Sequence, residues 1–519
     1  MNIAFLALGT DLAAMSSRAL SAYARQLGGA ARIVFVPSHL TFQRYSAGTL
    51  ERIADAVQGC DVVGLTVFTS QYRLAAQITD HLKSTTRQTV LWGGIHAMIR
   101  PYECLQHADG LCMGEGEPLL EDLAQGKPFG EITGLWHRQG GSVVERGITP
   151  MARDVSALPF QDFSFENHWY VDPESGAHGP MTREVYAARS NRSYIDRDGV
   201  FRVYYKTMAS RGCPYSCGYC NNSVMHDLYT NKHFRRRSVE RFMAELEEVH
   251  RANPFIELIH LADDTFLNRS AREIQEFARL YKERIGLPMR ALTTPTGITE
   301  EKLEALVDAG LCHLYMGIES GSPRALERYR RPVSPERIMK AARLLNQFQG
   351  RLLTPKYDVI CSDPLATDEE TRENILFLTQ IPRPRIFQYY TLGLFHGTLQ
   401  RKLVEQAGLS IADDQPYDND YFFGVNPHSL YDLLLLHLNL KYMPDAWIRF
   451  LAGERMLAWS HRWPWVNRGV LGLYRLLRGL ESGEFRYRSA AWHLHKIKRM
   501  LFNGEWAPAR RLLRRFWPG

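Results

Sequence analysis

The chain reads as an α/β protein: an N-terminal doubly wound parallel sheet of Rossmann-like type, then a partial (β/α)6 TIM-like barrel, then a helical C-terminal region. Three observations predict this. Short apolar runs alternate with helical periodicity over two separate stretches, the mark of parallel strands joined by crossover helices. A loosely patterned stretch divides the two. At 519 residues the chain is too long for a single hydrophobic core. The expected division is 1–135 for the first domain, 136–200 for a linker, 201–400 for the barrel and 401–519 for a helical, basic, Trp-rich region.

In the first stretch the apolar runs place strands at 3–8, 32–36, 62–67, 89–92 and 110–113, with helices at 11–27, 49–57 and 72–82. In such sheets a ligand lies beyond the carboxyl ends of the strands. The loops there are small and polar: Gly9-Thr10, Thr69-Ser70-Gln71, Gly93-Gly94-Ile95-His96 and Gly114-Glu115-Gly116-Glu117. Their glycines either let a large ligand approach the backbone or serve ordinary sheet-edge turns. The linker holds Leu158-Pro159-Phe160 and a run rich in Tyr, Ser, Asn and Arg. Barrel strands are expected at 203–209, 256–262, 288–294, 312–318, 354–361 and 386–394, with helical patterns such as 239–250 and 299–309 between them. Barrel chemistry sits at the strand carboxyl ends.

Directly after the first barrel strand comes Arg211-Gly-Cys-Pro-Tyr-Ser-Cys-Gly-Tyr-Cys220, with Cys213, Cys217 and Cys220 spaced C-x3-C-x2-C. Three thiolates on one loop can converge on one metal centre. They are one short of the four that close a structural zinc or a saturated iron–sulfur cluster, so one position is left for a cofactor or substrate. The other five of the eight cysteines (60, 104, 112, 312, 361) stand alone in apolar surroundings, which is no disulfide framework and implies a reducing, intracellular setting. No signal peptide is read at the N-terminus, and no apolar run reaches the roughly 18 residues of a membrane span. A cytoplasmic location is expected.

The net charge of +7 is uneven. From Lys441 onward there are 16 Lys and Arg against 5 Asp and Glu, a surplus of +11, so the first 440 residues carry −4. Seven of the ten tryptophans (447, 459, 463, 465, 492, 506, 517) also lie there. Helices are expected at 430–440, 473–480 and 490–502. A basic, aromatic helical tail either caps the barrel with a solvated charged face or lies on an acidic membrane surface as a peripheral contact. A nucleic-acid reading would rest on that tail alone, and no DNA partner is expected.

With these loops in view, the chain resembles the cobalamin-binding radical SAM superfamily, class B methyltransferase-like, over roughly 1–400. The cysteine triad with Tyr219 before its last member is the strongest match. Leu261-Ala-Asp-Asp-Thr-Phe266, Ala309-Gly-Leu-Cys-His-Leu-Tyr-Met-Gly-Ile-Glu-Ser-Gly-Ser322 and Phe395-His-Gly-Thr398 are similar to segments recurring in the same order. In the front domain Asp61-Val-Val-Gly-Leu-Thr66, Trp92-Gly-Gly-Ile-His96 and Met113-Gly-Glu-Gly-Glu117 are similar too. Two departures stand out. The residues after Leu8, Gly9-Thr-Asp-Leu-Ala-Ala14, do not form the D-x-H-x-x-G loop whose histidine ligates cobalt in many cobalamin domains. Cys361-Ser-Asp-Pro364 replaces a common Gly-x-Pro turn.

The resemblance implies a 4Fe-4S cluster on Cys213, Cys217 and Cys220, S-adenosylmethionine (SAM) on its open iron, and cobalamin on the front domain. Glu319, Ser320, Gly317, Asp264 and Tyr219 become SAM-binding candidates, and Gly317 and Gly321 would let its adenosine approach. Thr10, Thr69, Ser70, Gly93, Gly94, His96, Gly114 and Gly116 become cobalamin-binding candidates. Other readings stay open beside these. Glu319 can serve a structural strand-end network, Asp263 and Asp264 can bind SAM or substrate, and Asp264 can instead cap the next helix. Arg235-Arg-Arg237 either touches an anion or forms a solvated turn before a Ser238 cap, and His96 lines the cobalamin face or is incidental.

The implied activity is methylation of an unactivated carbon in a secondary-metabolite or lipid-like intermediate. It would consume two SAM molecules per turnover and draw electrons from a donor such as flavodoxin or ferredoxin. The alternatives are a cyclase or rearrangement enzyme of the same architecture, an RNA-modifying enzyme recruited by the basic tail, and a non-catalytic cluster protein. No strand-rich RNA-binding pattern follows residue 400.

Overall fold

The computed structural model describes residues 1–38, 42–190, 196, 200–230, 234–411, 429–441, 443–463 and 465–482. The chain divides into two compact units, one of Met1–Ala366 with Pro382–Gly424 and one of Thr367–Ile381 with Val425–Gly519.

The first unit holds two sheets. The front sheet starts from β1 (Asn2–Gly9), β2 (Ala30–Pro37), β3 (Val62–Thr66), β4 (Thr89–Gly93) and β5 (Gly110–Cys112), all parallel and ordered β5-β4-β3-β1-β2. Both faces are apolar. Ala4, Leu6, Val34 and Val63 pack into one core, and Ile3, Phe5 and Leu91 into a second on the other face. A parallel sheet covered by helices on both sides requires this.

Two expectations shift. The first helix runs Met15–Gln26 rather than from 11, because Ala14 adopts a left-handed backbone (φ 45°) and the Asp11 carboxylate accepts a hydrogen bond from the Ala13 N–H at 3.1 Å. This local turn competes with the helix. The stretch expected as a linker instead extends the sheet at both edges. β6 (Leu135–Gln139) and β7 (Ser142–Val144) add antiparallel beyond β5; β8 (Trp169–Val171) pairs parallel with β2, and β9 (His178–Pro180) closes that edge.

The second sheet has six parallel strands in sequence order: β10 (Tyr204–Thr207), β13 (Leu258–Leu261), β14 (Met289–Thr293), β15 (Leu311–Glu319), β16 (Lys356–Cys361) and β17 (Ile386–Thr391). This is the expected open barrel. Between β10 and β13 a short ladder of β11 (Ser210–Arg211) and β12 (Arg235–Arg236) runs antiparallel. Ser238 and Ser270 cap the helices Val239–Ala252 and Ala271–Arg284, each side chain accepting a backbone N–H; such a cap contributes about 1 kcal/mol.

The second unit collects the helix Asp368–Leu378, which falls between β16 and β17 in sequence, with helices Leu430–His437, Asp445–Leu451, Glu454–Arg462 and Trp465–Ser482. Leu433, Leu434, Leu435 and Ile448 are buried there, whereas Trp447, Phe450, Trp459, Trp463 and Trp465 are exposed. The expected helix at 490–502 and Trp492, Trp506 and Trp517 lie outside the described residues. Among the described residues no helix is long and apolar enough to cross a membrane.

Candidate active site

The cysteine loop leaves β11 through Gly212, whose φ of 75° favours glycine. It is held from several directions. His226 Nε2 lies 2.9 Å from the Cys213 carbonyl, the Gly218 N–H donates to the Tyr329 carbonyl at 2.7 Å, and the Gln400 N–H donates to the Gly218 carbonyl at 2.9 Å. Cys220 caps the helix Asn221–Leu228.

All three thiols are free of disulfides, and an N–H points at each sulfur. The donors are the Tyr215 backbone for Cys213, Arg331 Nη1 at 3.6 Å for Cys217 and the Asn222 backbone at 3.5 Å for Cys220. Burial pushes the Cys213 and Cys220 thiols up to about 12, so iron rather than solvent would have to draw off their protons. Among the described residues no three His, Cys, Asp or Glu side chains converge on a single ion.

Arg331 joins this loop to the end of β15. Besides Cys217 it donates to the Tyr219 hydroxyl at 3.2 Å and to the Gly317 carbonyl at 2.6 Å, and it lies 3.5 Å from Glu319. Its side chain is only 8 % exposed. Nothing in the local sequence around Arg331 announces this role. Glu319 has a left-handed backbone (φ 65°), a conformation costly for a non-glycine residue and concentrated at functional sites. Burial pushes its carboxyl up, against the pull of Arg331 and a hydrogen bond from Tyr219.

Gly317 is needed for this packing. A Cβ there would come within 2.6 Å of Glu319 Oε1 and 3.0 Å of Arg331 Nη2. Ser320 spends its hydroxyl on its own turn, accepting the Ser322 N–H at 3.1 Å.

The two aspartates after β13 differ. Asp263 is 1 % exposed and accepts from the Ala209 N–H at 2.9 Å and from the Ser210 hydroxyl, so it braces the lead into the cysteine loop. Asp264 accepts from Asn222 Nδ2 at 2.9 Å. It does not cap the next helix, because Ser270 with Glu273 forms the capping box there.

Arg235-Arg-Arg237 is not a solvated turn. Arg235 donates to Glu115 Oε2 at 3.1 Å and to the Ala152 carbonyl at 2.6 Å, Arg236 lies 3.4 Å from Glu273, and Arg237 pairs with Glu245. Arg211 adds pairs to Glu115 at 3.3 Å and to Glu117. The loop Gly114–Glu117 of the front sheet is thus tied by ion pairs to the residues entering the cysteine loop. At the replaced turn, Ser362 takes a left-handed backbone (φ 57°) where glycine would be relaxed, and Asp363 accepts from Arg328 at 2.8 Å.

Within this unit a cavity of about 390 Å³ opens between the front sheet and the start of the cysteine loop. Gly93, Gly94, Gly114 and Gly116 border it, as do Thr66, Gln161, Met208 and Arg211. Gln161, from the stretch expected as a linker, is 9 % exposed, and its Oε1 has no hydrogen-bond partner. Such an orphaned acceptor calls for a ligand donor or water. At Gly93 an added Cβ would touch only Cys112, at 3.4 Å or beyond. Gly114 differs: a Cβ there would lie 2.2 Å from the Tyr229 hydroxyl, so packing within the protein requires that glycine. Thr10, Thr69, Ser70 and His96 do not border the cavity. His96 is wholly buried, its ring 4.9 Å from Tyr72 and its Nδ1 3.3 Å from Thr69 Oγ1; burial lowers its pKa to about 4, so it is neutral and structural.

Asp358, on β16, was not anticipated. Its carboxyl is pushed up to about 7 by burial and then by Glu319, against the pull of Lys356. A carboxyl raised on folding costs nothing below its unfolded value of 3.8, and an increasing amount as the pH climbs toward 7. The cost at pH 8 is up to about 4 kcal/mol. Asp358→Asn is therefore expected to raise the melting temperature at pH 8 and to change it little at pH 4. Equal effects at both pH values, or destabilisation at pH 8, would contradict the assignment.

An open six-stranded barrel with a three-cysteine loop after its first strand, following a doubly wound sheet with a ligand-sized cavity, defines a radical SAM protein with a cobalamin-type front domain. Family models agree: residues 208–378 match the radical SAM superfamily and residues 1–124 match the B12 binding domain. The chain belongs to the cobalamin-binding radical SAM superfamily, whose two domains carry a 4Fe-4S cluster with SAM and cobalamin.

An uncharacterised methyltransferase of Pyrococcus horikoshii is 27 % identical over 329 residues, 62 % of this chain and 64 % of that one. The bacteriochlorophyllide d C-8(2)-methyltransferase of Chlorobaculum tepidum is 24 % identical over 287 residues, 52 % of each. The chain thus spans less than two thirds of the length of these relatives. In fold it is similar to the cobalamin-dependent SAM radical enzyme OxsB (TM-score 0.65, 16 % identity, 99 % of this chain and 83 % of that one). It is also similar to the radical SAM methyltransferase TsrM of Kitasatospora setae (TM-score 0.62, 17 % identity, 92 % and 100 %).

Proposed function

We propose that this protein cleaves SAM at a four-iron cluster held by Cys213, Cys217 and Cys220, and uses cobalamin to methylate an unactivated carbon of a secondary-metabolite or lipid-like intermediate. The observation that carries the reading is the thiol loop itself: three sulfurs outside any disulfide, each facing an N–H donor. Bound there, the cluster and SAM supply a 5′-deoxyadenosyl radical, and the cobalamin supplies a transferable methyl group.

The chain's own residues hold and shield. Glu319, kept in place by Arg331 and Tyr219, would accept from the polar groups of SAM, with the Gly317 and Ser320 backbone beside it. Asp264 would receive a cationic or hydroxyl group at the mouth. Gly93, Gly94, Gly114, Gly116 and Gln161 would take up part of the cobalamin, with Thr10, Thr69 and Ser70 on the neighbouring strand-end loops. Enclosing the reacting groups away from water limits quenching of the radical. An electron donor such as flavodoxin or ferredoxin would reduce the cluster.

A second reading, ring formation without methyl transfer, is favoured by one likeness. The anaerobic magnesium-protoporphyrin IX monomethyl ester cyclase of Cereibacter sphaeroides is 23 % identical over 298 residues. The test is incubation of the anaerobically reconstituted full chain with methyl-labelled SAM, reductant and extract of its source cells. Label in a new product is expected together with 5′-deoxyadenosine. 5′-Deoxyadenosine with an unlabelled new product would replace the first reading with the second.

A further inference from the structure

The helix Trp465–Ser482 of the second unit is apolar on two sides, and the protein covers only one of them. Val466 and Val470 are buried, and the Tyr474 ring lies 5.4 Å from that of His437, so this side packs on the helix Leu430–His437. At 3.6 residues per turn Trp465, Gly469, Gly472, Leu473 and Leu476 fall within an adjoining arc of about 100°. All five are exposed, Trp465 by 64 %, Leu473 by 40 % and Leu476 by 51 %. A Cβ added at Gly469 or Gly472 would meet nothing within 4 Å. Glycine inside a helix is disfavoured, and no packing within the protein asks for either one. A helix on the surface of a globular protein ordinarily turns a polar face outward, and this one turns outward tryptophan, leucine and glycine.

The charge beside that face has one sign. Arg468, Arg475 and Arg478 are exposed and fall together on one flank, and no Asp or Glu occurs from Trp463 to Leu480. The segments leading into the helix repeat the pairing of ring and cation. Exposed Trp447 and Phe450 bracket exposed Arg449; Trp459 and Trp463 stand one helical turn apart, and the Arg462 guanidinium is 5.9 Å from the Trp463 centroid. Exposed apolar surface on this scale marks a partner. The side chains identify its chemistry. Indoles settle at the headgroup level of a bilayer, arginines meet lipid phosphates while their stems stay on apolar surface, and leucines enter the acyl boundary. Glycines let the helix lie close to a flat surface. Single-stranded nucleic acid would use the rings and the arginines but would leave Leu473, Leu476 and the glycines without a role.

We propose that the outer face of the helix Trp465–Ser482 docks on an anionic lipid bilayer, with Arg468, Arg475 and Arg478 on the phosphates. The contact is peripheral: among the described residues no helix is long and apolar enough to cross. This surface goes beyond the chemistry proposed for the cluster and does not rest on it.

The test sediments the full chain with vesicles of phosphatidylcholine mixed with phosphatidylglycerol and, separately, of phosphatidylcholine alone. Binding to the anionic vesicles is expected to be on the order of tenfold tighter or more, and to weaken as salt is raised. Leu473→Gln with Leu476→Gln, and Arg468→Gln with Arg475→Gln, are each expected to weaken it on the order of tenfold. Arg251→Gln, an exposed arginine of the first unit, leaves it unchanged. Gly472→Glu adds an acidic side chain where a Cβ meets nothing, so it tests the same face should either double variant fail to fold, and it too is expected to weaken binding. Absence of vesicle binding, equal binding to both kinds of vesicle, or anionic-vesicle binding unchanged in every folded variant of this face overturns the inference. A single-stranded RNA oligomer that binds more tightly than the vesicles, and is lost in the same variants, also overturns it and gives the face to nucleic acid.

Discussion

Replacing Cys213, Cys217 or Cys220 with alanine is expected to abolish SAM cleavage, and replacing all three to reduce iron in the anaerobically reconstituted protein from about four per chain to background. The loop has no spare thiol to substitute. Cys112, Cys312 and Cys361 lie within strands, and Cys361 Sγ already faces the Tyr390 carbonyl at 3.3 Å. Because the loop is also anchored through backbone groups at Gly218 and through His226, the single variants should keep the fold while losing the cluster. Iron content and the optical spectrum, read beside the melting curve, check both parts. About four irons per chain in the triple variant would remove the cluster assignment.

The second large effect belongs to Arg331. Arg331→Met removes the N–H donor to Cys217 and leaves Glu319 without its cationic partner in a nearly closed space. Stripping one member from a buried pair costs about 3 to 5 kcal/mol. Part of this is recovered because Glu319, already pushed up by burial, can take a proton, so a loss of about 2 to 3 kcal/mol is expected. Removal of a positive charge and a sulfur hydrogen bond should also move the cluster's reduction potential to a more negative value. Arg331→Lys should restore much of the charge and little of the fork, giving an intermediate potential. A merely structural Arg331 would lower stability and leave the potential where it was.

The thiol loop could be read from sequence because its three sulfurs lie within eight residues. Local spacing was enough to bring them together. The barrel strands were legible for a similar reason: a run such as Leu311–Glu319 is long enough to show its pattern against the helices on either side. β8 and β9 were not, since three residues each carry too little periodicity, and only pairing with β2 turns them into sheet. His96 beside two glycines could be read either as lining the cobalamin face or as incidental, and its contacts with Tyr72 and Thr69 place it in the core.

Residue chemistry and spacing along the chain therefore point to the order of the two sheets and to a metal centre with one open position, because those signals repeat locally; SAM and cobalamin were implied by the family resemblance. The partners of the site were decided only by tertiary packing. Arg331 reaches Cys217 across 114 residues, Gly114 is a glycine because Tyr229 stands against it, and register aligns Lys206, His260, Arg290 and His313 from four separate strands. Contacts of that range leave no mark on either neighbour in the chain. Their energies come from burial and charge that arise only once the strands are side by side.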